Sequence, residues 1–262
     1  MYKLNNFLTN DDVVVTDKKG PFTLIEYKRD LSVTPYNAST AFFAEQMNVR
    51  KRQVVCDLNV SGVTVQAGAM QWMVGAVEQT SGVKGVGDLF GKAIKGKATG
   101  ESAVKPEYKG KGHLVLEPTY RHLIILDLAE WNGSVVLSDG MFLACESHLK
   151  QNAVMRSNLS SAALGGEGLF NLAISGDGFI CCESPVPFNE LIEIELHDDV
   201  VKIDGNMAVA WSSGLNFTVE RSGKTLLGSA ASGEGLVNVY RGTGKVWMAP
   251  VIGGVMTPSL HD

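Results

Sequence analysis

The chain has 262 residues, 45% of them apolar and 19% charged, a composition that fits an ordinary folded protein and excludes the disordered and membrane-embedded classes. A formal net charge of -5 removes any global attraction to nucleic acid or anionic lipid, so binding of that kind would have to be local. Its 29 glycines, about 11% of the chain against a usual ~7%, point to many tight turns and therefore to a β-rich fold of short strands, which a threefold repeat of such strands extends to an all-β chain.

The start, "MYKLNNFLTNDDVVVTD", lacks a basic head followed by an apolar block, and no run of about 18 apolar residues follows anywhere. A chain with neither a signal peptide nor a membrane-spanning helix is the expectation, with a cytoplasmic location. Residues 1–53 form an N-terminal extension in which "DVVVTD" and "FTLIEY" read as strands. "STAFFAEQM" reads as one or two helical turns capped by Ser39 or Thr40. Arg50, Lys51 and Arg52 then lead into the strand "QVVCDL".

From there the sequence repeats three times. A glycine–methionine element occurs as "VQAGAMQWMVG", "LSDGMFLACES" and "IDGNMAVAWSS", with glycines Gly68, Gly140 and Gly205 and methionines Met70, Met141 and Met207. Each is followed by a Gly-Glu element: "GESAVKPEYKGKGHLVLEP", "GGEGLFNLAISGDGFICCESP" and "GEGLVNVYRGTGKVWMAP". Their leading glycines, Gly100, Gly166 and Gly233, lie 66 and 67 residues apart. The expected divisions are repeat one at 54–118 with a basic insertion at 81–100, repeat two at 119–185, repeat three at 186–250, and a tail at 251–262.

Each repeat predicts about six short strands. Phe170, Leu172 and Ile174 alternate with Asn171 and Ala173, the pattern of a half-buried strand. Gly176 and Gly178 suit a tight hairpin turn. "FICC" reads as a strand covered on both faces, and the following proline ends it.

Within the insertion, Val86, Leu89, Phe90, Ala93 and Ile94 form a helical stripe. Lys84, Lys92, Lys95 and Lys97 make the segment 84–97 basic. It has three readings: a solvated face, an element docked at a subunit interface, or a contact with anionic membrane or nucleic acid. "GVGDLFG" misses the G-x-G-x-x-G spacing, and "SGKT" lacks the first glycine of a phosphate loop, so neither predicts nucleotide binding. His113, His122, His148, His197 and His261 are not at ligand spacing from one another or from a cysteine. Cys56, Cys145, Cys181 and Cys182 show neither a CxxC pair nor a disulfide framework and read as reduced, buried thiols. No catalytic, cofactor-binding or metal-binding residue is predicted. Glu101, Glu167 and Glu234 recur in every copy and either cap backbone N–H groups or line a shared site.

"VRKRQVVCDL", "VTVQAGAMQWMVG", "LGGEGLFNLAISGDGFI" and "SGEGLVNVYRGTGKVWMAP" resemble bacterial members of the altered-inheritance-of-mitochondria twenty-four family, from about Arg50 to Pro250. The resemblance implies a fold similar to the tryptophan-activated RNA-binding attenuation protein (TRAP). That is three tandem double-stranded β-helix repeats side by side in one chain, with three chains closing a ring of nine. It also implies a non-enzymatic, ring-forming scaffold or interaction module. The family's mitochondrial members are associated with inner-membrane organisation, which brings a membrane or protein partner into view through residues 84–97. Two alternatives stay open: a small-ligand binder with sites between repeats or subunits, and an RNA-binding regulator by analogy of fold. The absence of a repeated lysine or arginine motif speaks against nucleic acid.

Overall fold

A computed structural model describes residues 2–30, 32–80, 105–155, 170–221 and 236–251. Among these the chain forms sixteen strands and one α-helix, α1 (Ala38–Gln46), so the all-β expectation holds. Every strand pairing is antiparallel, as suits a chain joined by turns rather than crossover helices. The basic insertion and the recurring Glu101, Glu167 and Glu234 lie outside the described residues.

The N-terminal segment contributes β1 (Val13–Lys19) and β2 (Phe22–Tyr27), the two strands predicted for it, and β2 pairs with β3 (Arg52–Asp57). The helix between them starts earlier than the predicted caps. Asn37 stands at the N-cap, and its side chain turns back to accept from Thr34 N and Oγ1 at 2.7 and 2.9 Å, fixing the turn before the helix. Ser39 and Thr40 are therefore inside the helix.

Beyond β3 come β4 (Val63–Val65), β5 (Met70–Thr80), β6 (Glu107–Leu116), β7 (His122–Asp127), β8 (Ser134–Leu137) and β9 (Phe142–Glu146). They are followed by β10 (Lys150–Met155), β11 (Phe170–Ser175), β12 (Phe179–Ser184), β13 (Ile192–Asp204), β14 (Ala208–Ser212), β15 (Asn216–Arg221) and β16 (Leu236–Met248). One sheet runs β1-β2-β3-β6-β4-β9-β12-β7 with β5 also on β6, and the other runs β10-β11-β8-β14-β16-β13 with β15 also on β16. The first sheet curls until β7, at its far end, returns against β1, β2 and β3.

Alternation along the strands sorts the buried side chains into layers. Leu126, Ile180, Cys182, Leu137 and Ile174 share a central core between the two sheets. Ile125, Leu143, Ala144 and Cys181, on the other face of the first sheet, join Phe22, Leu24, Val54 and Leu114 inside its curl. Val136, Ala173 and Trp211, on the other face of the second sheet, join Tyr240 and Val246. Central strands thus bury both faces. This is why Ile180, Cys181 and Cys182 of β12 are buried on both faces, as predicted for the run "FICC", and why β11 departs from the half-buried pattern: Asn171 and Ala173 are buried along with Leu172 and Ile174. Each such aliphatic side chain withdrawn from water contributes roughly 1.5–3 kcal/mol.

The Gly-x-Gly pairs correct one expectation. Gly176 and Gly178, at φ 136° and 151°, do not form a hairpin, because β11 pairs with β10 and β8 while β12 pairs with β7 and β9. The chain turns a corner there and passes from one sheet to the other. In β6 and β16 the corresponding glycines, Gly110 and Gly242 at φ 125° and 118°, lie within a single long strand that stays paired through the bend. Six short strands are therefore distinct from β7 to β12, whereas long strands replace pairs of them on either side.

Candidate functional site

An antiparallel sheet leaves a row of unpaired N–H and C=O groups along each outer strand, and that row is a template for another strand. Two junctions inside the chain show how such rows are used. β4 pairs with β9 as Val63 to Glu146, Thr64 to Cys145 and Val65 to Ala144. β8 pairs with β14 as Val135 to Ser212, Val136 to Trp211 and Leu137 to Ala210. Counted from the repeat landmarks, the two registers are the same. Residues three, four and five before Gly68 or Gly140 face residues three, four and five after Met141 or Met207. All twelve are buried, none more than 9% exposed.

The same count from the remaining glycine, Gly205, and the remaining methionine, Met70, selects two further triplets. One is Val200, Val201 and Lys202 on β13; the other is Met73, Val74 and Gly75 on β5. The first is bonded only to β16 and the second only to β6, so each keeps an open side among the described residues. Val200 is 44% exposed and Met73 is 42% exposed, where their counterparts at the internal junctions are enclosed.

A side-chain cap marks these junctions and was not read from the sequence. Glu146, five residues after Met141, accepts the backbone N–H of Phe179 at 2.8 Å, just past the Gly-x-Gly corner. Ser212, five after Met207, accepts the N–H of Lys245 at 2.9 Å at the matching place. Five after Met70 stands Gly75, where an added Cβ would lie 3.1 Å from the Tyr2 ring, and Tyr2 bonds His113 instead. The common offset from methionine was the available signal, hidden because Glu, Ser and Gly share no chemistry.

Among the described residues the cysteines, His122 and His148 are engaged in the fold, whereas His197 is largely exposed. All four cysteines are reduced and buried. Burial pushes the Cys145 thiol up to about 12, and it raises those of Cys56 and Cys181 well above the ordinary thiol range as well. Thiolate chemistry is suppressed by such burial. His148 donates to the Asp177 carbonyl at 2.8 Å, while His122, held down to about 4 by burial and then by the charge of Arg52, is neutral. Among the described residues no three His, Cys, Asp or Glu side chains gather as metal ligands. The basic run is paired internally: Arg50 and Arg52 with Glu26 at 3.9 and 2.9 Å, and Lys51 with Asp30 at 2.7 Å. No described helix is long and apolar enough to cross a membrane.

These features define an antiparallel all-β protein of curled sheets with open terminal strands. The family model described as Mitochondrial biogenesis AIM24 matches residues 46–251, and the chain belongs to that family, as its motifs suggest. An uncharacterized protein of Streptococcus pyogenes serotype M6 is 31% identical over 206 residues, spanning 74% of this chain and 79% of that protein. The crystal structure of a Streptococcus pyogenes protein is similar with a TM-score of 0.57 at 26% identity, covering 79% of this chain and 90% of that one.

Proposed function

We propose that this chain is a non-catalytic β scaffold of three tandem double-stranded β-helix, TRAP-like units, which works by assembling with copies of itself. Copies join head to tail. Val200, Val201 and Lys202 of one pair with Gly75, Val74 and Met73 of the next, repeating the junction that occurs twice within each chain. The observation that carries this reading is the contrast between twelve buried junction residues and their equivalents at the two open strands, of which Met73, Gly75, Val200 and Lys202 are exposed and Val74 and Val201 half-buried. A head-to-tail contact closes into a ring when its rotation allows, and closure pairs the open sides of β5 and β13 in every copy. Three copies is the number that the family resemblance implies.

Light scattering on the full chain tests it: the expected mass is three times 28.1 kDa. A mass of one chain at micromolar concentration would overturn the proposal. The register has its own test, because it sets Met73 opposite Lys202. Met73→Lys places like charges face to face and disperses the assembly, and adding Lys202→Glu restores it. An unchanged mass for Met73→Lys rules out this junction.

A further inference from the structure

A cleft of about 310 Å³ opens between the N-terminal segment and the start of β5, at the lower end of the ~300–1,000 Å³ usual for small-molecule sites. Its floor is a fixed polar ladder. Gln53, 2% exposed, donates from Nε2 to Gln71 Oε1 and to the Leu116 carbonyl, both at 2.7 Å. Its Oε1 accepts the Tyr27 hydroxyl at 2.7 Å, which holds the half-buried phenol in place. The amide cannot turn without breaking three hydrogen bonds.

The walls are two ion pairs. Arg29 donates from Nε to the buried carboxylate of Asp12. Lys51 meets Asp30 at 2.7 Å and the Ser32 hydroxyl at 3.2 Å. Hydrogen bonding to Lys51 and Ser32 holds the Asp30 carboxyl below its usual range, so the Asp30–Lys51 pair stays charged at neutral pH.

This pairing discriminates between ligand classes. An anion drawn to Arg29 or Lys51 meets Asp12 and Asp30, and a cation drawn to the carboxylates meets the two bases. A zwitterion would have to part pairs that already satisfy one another. What the walls offer is N–H donors alternating with carboxylate and hydroxyl acceptors beside an aromatic ring. A hydroxyl group donates and accepts at once, so neighbouring hydroxyls can bridge such a row without separating any charge. We propose that the cleft binds a neutral polyhydroxylated molecule of monosaccharide size, its ring face against Tyr27 and its hydroxyls spanning the Asp12–Arg29 and Asp30–Lys51 pairs.

Saturation-transfer NMR on the full chain tests this with glucose, galactose, mannose, N-acetylglucosamine and myo-inositol as probes. Inorganic phosphate, calcium, glycine and glutamate form the opposing panel. At least one polyol should receive saturation, with an affinity weakened tenfold or more by Arg29→Gln. The Arg29 side chain is 63% exposed, so its loss spares the core. Ser32→Ala, which removes one hydroxyl from the same wall, should weaken binding severalfold. The proposal fails if no polyol binds, if both variants bind as the parent does, or if only a charged probe binds saturably.

Discussion

Arg52 shows how a single buried cation can tie three segments together. It is 6% exposed, yet Nε faces Glu26, Nη1 donates to the carbonyls of Arg50 and Tyr120, and Nη2 donates to Asn48 through its carbonyl and its side-chain oxygen. One guanidinium thereby ties β3 to β2, to the end of α1 and to the approach to β7. Arg52→Ala leaves the Arg50, Tyr120 and Asn48 oxygens without these donors and Glu26 with Arg50 alone, so it should cost about 2–4 kcal/mol in urea denaturation, and lysine, lacking the fork, should recover only part. The same charge acts on His122. With its folded pKa near 4 and an unfolded value near 6.5, His122 is protonated first in the unfolded chain as pH falls. Its contribution to stability is therefore full above about pH 6.5 and lost progressively towards pH 4. The melting temperature should fall over that window in the parent and fall less in His122→Gln. None of this was legible beforehand: "RKR" reads as a basic run, and only the packing brings Glu26 and Asn48 to it.

At the scale of elements, the glycines separate what local sequence determines from what the neighbours determine. Gly68, Gly140 and Gly205 have φ of 80°, 73° and 58° in open space, where an added Cβ would meet nothing within 4 Å. The turn alone demands glycine, and the repeat made that readable. Gly110 is different. Its Cβ would fall 2.1 Å from the Ala76 carbonyl oxygen, across the β5–β6 pairing. Gly68→Ala should cost about 1–2 kcal/mol, the price of a left-handed conformation, and Gly110→Ala more than twice that, as measured by chemical denaturation. The sequence also marked the strand ends, since β6, β12 and β16 stop at Leu116, Ser184 and Met248, just before Pro118, Pro185 and Pro250. It misjudged the corners, because a Gly-x-Gly that doubles back and one that crosses between sheets look alike until the partner strands are known.

For the whole molecule, the order of layers explains the stability of the middle and the openness of the ends. Strands β8, β9, β11 and β12 have a core on each face and a paired neighbour on each side, whereas β5 and β13 have a paired neighbour on only one side among the described residues. If copies join through those strands, association stabilises the folded chain by mass action. The melting temperature should then rise with protein concentration for the parent and be independent of concentration for Met73→Lys. A concentration-independent parent would contradict assembly through these edges.

The sequence by itself determined the all-β class, the triplicate motif and the ends of β6, β12 and β16, and the resemblance of its motifs pointed to the family. The class and the strand ends follow from local rules: period-two alternation, glycine at positive φ, and proline at the end of a ladder. Only the tertiary structure decided which strands pair, where the chain changes sheets, which charges neutralise one another around the cleft, and which edges stay open. Those depend on residues far apart in the chain, and a strand's own sequence records that it will pair without recording with what.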